Sequence, residues 1–392
     1  KVGAKEMPDI FSSYADTAYE VEQAGALANL SDYLTKDELK KYITSYINEG
    51  CIASDGSLRI FPVAKSTEIM MINKTDWEAF SNATGASLES LATIEGVAET
   101  AKSYYEWTDS ATPDIPNDGK AFYGRDAMAN YFLIGMRQLG TEIFQADGGQ
   151  VVLNVPRESV RRLWDNYYVP IVKGYFGKYG SFRSDDVKTG DLLAYTGSTT
   201  SAMYFPGKVE LDDRSYEIDY IVMGAPVFEG GENYAVQQGA GMVVSKSDEL
   251  HEYASVEFLK WFTQAENNLR FGGAAGYMPV LEEANSVEML DKVIEEYEVA
   301  VAKKTYDCLT YAFENMADVH FYTNKSFKNG SGARKVLEYN LSDKAQADRK
   351  LVEAALAGGA TLEEACAPYL TEEAFDAWYT EFCNALKEAA GI

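Results

Sequence analysis

The sequence predicts a mixed α/β fold of open sheets covered by helices, followed by a helical C-terminal portion. Three observations predict it. Short runs of β-branched and aromatic residues alternate with helical periodicities as far as Pro279, the pattern of layered sheets with ligand clefts at their strand ends. Beyond Pro279 the strand signals fade and helical stripes remain. The chain has 392 residues, 46% of them apolar, with 27 Tyr, 18 Phe and 5 Trp. That is enough to fill two domains and bury about 75% of the unfolded surface without a metal or disulfide. The aromatic load also excludes a disordered chain.

Taken in order, Met7-Pro-Asp-Ile-Phe11 leaves a loop and enters a strand, and Tyr14, Ala18, Val21 and Gly25 fall on one helical face. Thr35-Lys-Asp-Glu38 is a capping box, in which hydroxyl and carboxylate satisfy each other's backbone amides at a helix start. Leu58–Val63 and Ile69–Ile72 read as strands. Asp126–Leu139 is apolar nearly all round, which predicts a buried helix. Pro156 opens a helix whose core stripe is Val160, Leu163, Trp164 and Tyr167. Ala202–Phe205, Asp219–Val222 and Gly241–Val244 are further strands. After Ser247 a stripe of Ala254, Phe258, Trp261, Phe262 and Ala265 reads as a core-facing helix. Leu290, Val293, Ile294, Tyr297 and Val301 mark another. Thr361-Leu-Glu-Glu364 is a second capping box, and Phe375, Trp378, Tyr379, Phe382 and Leu386 form a last amphipathic helix.

The charged residues narrow the chemistry. Lys and Arg number 35 against 61 Asp and Glu, a net charge of −26 that repels phosphate backbones, so no nucleic-acid partner is expected. No apolar run is long enough for a membrane span. None of Cys51, Cys308, Cys366 and Cys383 forms a C-x-x-C pair. Cys366 and Cys383 lie close enough in sequence to pair in an oxidising compartment, although four small buried hydrophobes is the simpler reading. His251 and His320 have no metal-ligand spacing, and no metal or cofactor is expected. There is no nucleophile elbow and no phosphate loop. Gly239-Ala-Gly241 runs into Met-Val-Val, so a dinucleotide fingerprint breaks off after two glycines. Asp185/Asp186 and Asp212/Asp213 have the residue type for glycoside hydrolysis, but adjacent acids in an acidic chain read as solvated turns. No catalytic constellation emerges.

Four stretches carry a resemblance. Gln237-Gln-Gly-Ala-Gly241-Met-Val-Val-Ser-Lys246 is followed by Ala254-Ser-Val-Glu-Phe-Leu-Lys-Trp-Phe-Thr263, Glu266-Asn267 and Gly276-Tyr-Met-Pro-Val280. Pro8-Asp-Ile-Phe11 precedes Glu22-Gln-Ala-Gly25 and Leu30-Ser-Asp-Tyr-Leu34. Gly56–Val63 leads to Met71-Ile-Asn-Lys-Thr75, and Thr200–Phe205 completes the set. In this order they resemble the extracellular solute-binding proteins of ABC importers, in the group that captures sugars. The resemblance implies a two-lobed periplasmic-binding-protein-like fold with a central cleft. The N-terminal lobe would comprise 1–67 and 223–280, and the C-terminal lobe 68–222 and 281–392. It implies a carbohydrate ligand, a membrane permease as partner, a monomer without enzymatic activity, and an extracellular or periplasmic location on a lipid anchor. The alternatives are a non-sugar solute, such as a phosphorylated polyol or a peptide, and a carbohydrate-active enzyme. The lack of an evident Arg cluster argues against phosphate.

Matched positions supply the candidate ligand contacts: Ser13, Tyr14 and Asp16 after the first strand, Thr67 and Glu68 at the first crossing, Tyr204 and Phe205 at the end of a cleft-facing strand, Gly239 and Ala240 in the Gly-x-Gly loop, and Tyr277. The departure from the family is at the start. Pro8 is almost the first residue, so the N-terminal lobe is expected to lack its first strand–helix unit, and Lys1-Val-Gly-Ala-Lys5 reads as the tail of a loop from a longer native chain.

Overall fold

A computed structural model describes residues 7–147, 150–315 and 317–392. Lys1–Lys5 lie outside the described residues. Two sheets organise the chain. In the first, Gly241–Val244 is central and antiparallel to Ile10–Ser13 on one side and Ile60–Phe61 on the other. In the second the order is Tyr220–Gly224, Glu68–Asn73, Ala194–Ser198, Tyr123–Arg125. Glu68–Asn73 is buried throughout, and its Ile69-Met-Met-Ile72 core explains why it sits inside that sheet rather than at an edge. Register places Glu68 opposite Ser198 and Ile69 opposite Gly224. The chain therefore enters the second sheet at Glu68 and leaves it at Gly224, at the same end.

Each sheet has its own core. Phe61, Val244, Val256, Leu259, Met278 and Val280 pack together on the first. On the second, the aromatic helix Met128–Gln138 packs with Arg157–Lys173, Gly330–Ala357 and Glu372–Ala390. Trp164 lies 1% exposed in that core, as its stripe predicts. The helices Val287–Tyr297 and Lys303–Asn315 bury Leu290, Val293, Leu309 and Ala312 in the first core. Lys303–Asn315 also buries Cys308 among Ile69, Met71 and Tyr195, so it spans the passage between the two cores. That passage includes a strand beyond Pro279, His320–Tyr322, parallel to Tyr234–Val236.

Other local expectations change. Ala202–Phe205 is not a strand. Ala194–Ser198 fills the strand slot, Ser198 Oγ accepts from the Thr200 amide, and Thr199–Tyr204 winds as a 3₁₀ helix. Trp261 is not core but 53% exposed, beside Phe258 at 51%. The helix Glu249–Phe262 instead turns Val256 and Leu259 to the sheet. Glu252 holds that rotation by accepting from Tyr33 Oη and from the Ser247 amide, both at 2.8 Å. All four cysteines are free, so Cys366 and Cys383 do not pair. Asp186 is no solvated turn acid. It is 2% exposed, bound by Arg183 and by the Gly180 amide. Both capping boxes form as expected.

Candidate binding cleft

Backbone bridges assemble the floor of a cleft between the two lobes. Lys65 pairs with Met278, and Ser66 exchanges amide bonds with Gln238 at 2.9 and 3.1 Å. Gly239 has φ +113°, and a Cβ there would stand 2.7 Å from the Ala64 carbonyl, so only glycine lets this loop lie on the Lys65 strand. Above the floor lies a cavity of about 550 Å³. Tyr14, Asp16, Glu49, Gln237, Gly239 and Tyr277 line it from the first lobe. Ser198 and Thr200 line it from the second, with Arg334, Lys335, Glu338 and Tyr339 along the helix Gly330–Ala357.

Local structure presents the key groups. Tyr14 is the extended residue that starts the helix Ala15–Gln23, so its ring stands free, 67% exposed. Asp16, in the first turn, reaches the opposite lobe. A Cβ on Gly330 would lie 2.5 Å from its Oδ1. Burial raises the Asp16 carboxyl to about 6, opposed by Arg334 and reinforced by Glu20 and Glu49. In the free protein this group favours folding below its unfolded pKa, and that contribution is lost as pH rises through about 6. A ligand that donates to the ionised carboxylate has the opposite dependence. Its affinity is expected to fall by up to about tenfold per pH unit below pH 6, and Asp16→Asn should flatten the profile. Calorimetric titration between pH 5 and 8 checks this, and a flat wild-type profile would remove Asp16 from the contact set.

Of the ten matched positions, Tyr14, Asp16, Gly239 and Tyr277 line the cleft. The others do not. Ser13 is buried and donates to the Tyr14 carbonyl. Thr67 is fully buried behind the floor, its carbonyl accepting from the Thr199 amide. Ala240 sits beside the floor without lining it. Phe205 is 2% exposed and stacks with Tyr195 in a separate core, while Tyr204 projects into solvent at 67%, both following from the 3₁₀ turn. Glu68 is occupied internally. Arg125 Nη2 and Asn130 Nδ2 donate to it at 2.8 and 2.9 Å, and it faces a smaller cavity of about 230 Å³ behind the crossing strands. Asn130 also donates to Gln238 and accepts from Arg334, tying this buried pair to both walls of the cleft.

Glu49, Gln237, Arg334, Lys335, Glu338 and Tyr339 were not among the candidates. The Gln237-Gln238 pair ahead of Gly239 was a legible polar signal. The others sit on helices with no motif, and only packing brings them to the site.

Comparisons with known proteins agree with this architecture. The family model described as "Bacterial extracellular solute-binding protein" matches residues 2–300. A search of curated proteins finds no match. Among solved structures, the cyclic α-maltosyl-1,6-maltose binding protein of Arthrobacter globiformis is 20% identical with a TM-score of 0.61, over 97% of this chain and 85% of that one. UgpB from Mycobacterium tuberculosis, in complex with glycerophosphocholine, is 15% identical with a TM-score of 0.64, over 98% and 85%. Maltose-bound MalE3 of T. maritima is 15% identical with a TM-score of 0.59, over 96% and 84%. At these identities the likeness is one of fold. Among the described residues no helix is long and apolar enough to cross a membrane.

Proposed function

The chain belongs to the bacterial extracellular solute-binding proteins, and from that premise we propose that it captures a mono- or oligosaccharide in the interlobe cleft and delivers it to the permease of an ABC importer, performing no chemistry itself. The observation that carries this reading is the composition of the cleft. Tyr14, Tyr277 and Tyr339 offer ring faces beside the carboxylates and amides of Asp16, Glu49 and Gln237. Sugars present apolar C–H faces and a rim of hydroxyls, and such a lining meets both. A hydrogen bond to a charged group contributes about 1.5–3 kcal/mol net. Micromolar capture needs about 8 kcal/mol in all, so a few such bonds and one or two stacked rings suffice. The cavity volume falls in the range of small-molecule sites. The reading extends to a monomer held outside the cytoplasmic membrane by a lipid anchor.

Arg334 and Lys335 favour a second reading, a solute with one anionic group such as a phosphorylated polyol. The facing carboxylates of Asp16, Glu49 and Glu338 weigh against it. A thermal-shift panel of mono- and oligosaccharides, glycerol phosphates and peptides separates the two. A saccharide should raise the melting temperature, with no new reducing ends released. A rise with a glycerol phosphate alone would overturn the sugar reading, and turnover of a glycoside would overturn the binding role.

Tyr277 supplies a ring at the cleft wall, held parallel to Phe271 at 5.9 Å and 8°. Tyr277→Ala is expected to weaken saccharide binding by about 1–3 kcal/mol while leaving the fold intact. Calorimetry with a melting curve checks it. A drop in melting temperature without loss of affinity would make Tyr277 a packing residue.

A further inference from the structure

One buried charge pair stands behind the cleft wall. Lys65 is 2% exposed, and its Nζ donates to Glu49 Oε2 at 2.8 Å and to the Gly239 carbonyl at 3.1 Å. Gln237 Nε2 donates to the same Glu49 oxygen and to the Ser45 carbonyl. Those two acceptors determine which end of the amide is nitrogen. Among the described residues Gln237 Oε1 is left buried with no partner, on a residue only 3% exposed. No donor among the described residues reaches Glu49 Oε1 either, and both residues line the cleft. A buried carbonyl without a donor has lost its water and gained nothing in return, so it calls for a donor from outside the chain.

We propose that Glu49 Oε1 and Gln237 Oε1 form a subsite at the cleft floor that accepts protons from two neighbouring hydroxyls of the ligand, with Lys65 as the positioning residue behind it. The subsite rests on the saccharide reading and deepens it. Both side chains are anchored on one atom, Glu49 Oε2, which ties the two oxygens to the same corner of the floor. Both are acceptors, so the subsite rejects a phosphate or carboxylate and selects a donor-bearing group, which in a sugar is a vicinal diol. Lys65 is out of ligand reach. It acts by holding Glu49 and by closing the Gly239 loop over the floor.

The test uses the tightest saccharide from the thermal-shift panel and its monodeoxy derivatives, titrated into the full chain. Gln237→Met, close in length but without the oxygen, should bind about 10–100-fold more weakly, the loss expected where a buried polar group no longer meets its hydroxyl. At least one monodeoxy ligand should lose about tenfold against wild type and little against Gln237→Met, since that hydroxyl has already lost its acceptor. Lys65→Met should weaken binding, and Lys65→Arg should restore part of it by returning a donor to Glu49. If Lys65→Met fails to fold, Glu49→Gln/Lys65→Met removes both charges together and carries the same expectation of weaker binding. Unchanged affinity in Gln237→Met, or equal deoxy losses in both proteins, overturns the subsite while leaving saccharide capture standing. Binding of no saccharide by the wild type overturns capture, and the subsite with it.

Discussion

Arg125→Met is expected to destabilise the protein by about 3–5 kcal/mol, the cost of leaving a buried charge without its partner. Arg125 and Glu68 are each 7% exposed and 2.8 Å apart, with the guanidinium 5.0 Å from the Tyr131 ring. Removing the arginine leaves the Glu68 carboxylate, on a residue only 6% exposed, with one amide donor, Asn130. The expected consequence reaches the site as well as the fold. Glu68 opens the strand that enters the second sheet, and Asn130 links it to Gln238 and Arg334. Urea titration reads the stability, and calorimetry under native conditions reads the ligand affinity. Glu68→Gln/Arg125→Met removes the pair together and should recover most of the lost stability. A cost below about 1 kcal/mol for Arg125→Met alone would show that water reaches the pair.

The second large effect is expected at Trp164. Its ring is 1% exposed, stacks on Tyr168 at 3.6 Å between centroids, and lies 4.8 Å from Trp378 and 5.5 Å from Phe375. Trp164→Ala opens a cavity between the helix Arg157–Lys173 and the terminal helix Glu372–Ala390, and should cost about 3–5 kcal/mol. The terminal helix packs along Gly330–Ala357 and meets Arg157–Lys173 through these rings. Its amides should therefore lose hydrogen-exchange protection well before those of the first sheet. Uniform loss of protection across both lobes would mean that they unfold as one unit. A cost below about 1.5 kcal/mol would mean that the neighbours collapse into the space.

Much of the architecture was legible because it rests on local physics. Both capping boxes are reciprocal bonds within four residues, and both formed. The Asp126–Leu139 segment buried nearly every side chain, as a run apolar on all faces must. Stripe readings failed where a polar residue set the rotation. Glu252, tied to Tyr33 and Ser247, turned the Phe258–Trp261 side of its helix outward. The Ala202–Phe205 segment shows the same limit. Its residues suit a strand, but Ala194–Ser198 already holds that place in the sheet.

What the sequence determined by itself is the α/β class, most element positions, the absence of any recognisable catalytic motif and, through Tyr14, Asp16, Gly239 and Tyr277, part of one cleft wall. Those residues follow strand ends or glycine turns, where chain geometry alone exposes a side chain. Tertiary structure decided the rest. Glu68 looked like a ligand contact and became an internal ion pair, because Arg125 and Asn130 reach it from other elements. Glu49, Gln237 and Arg334 converge on the cleft from positions far apart in the chain. The helix carrying Arg334 reaches the cleft because its apolar face packs on Met128–Gln138 and Arg157–Lys173. Long-range packing sets which polar groups are left without partners, and no local pattern encodes that.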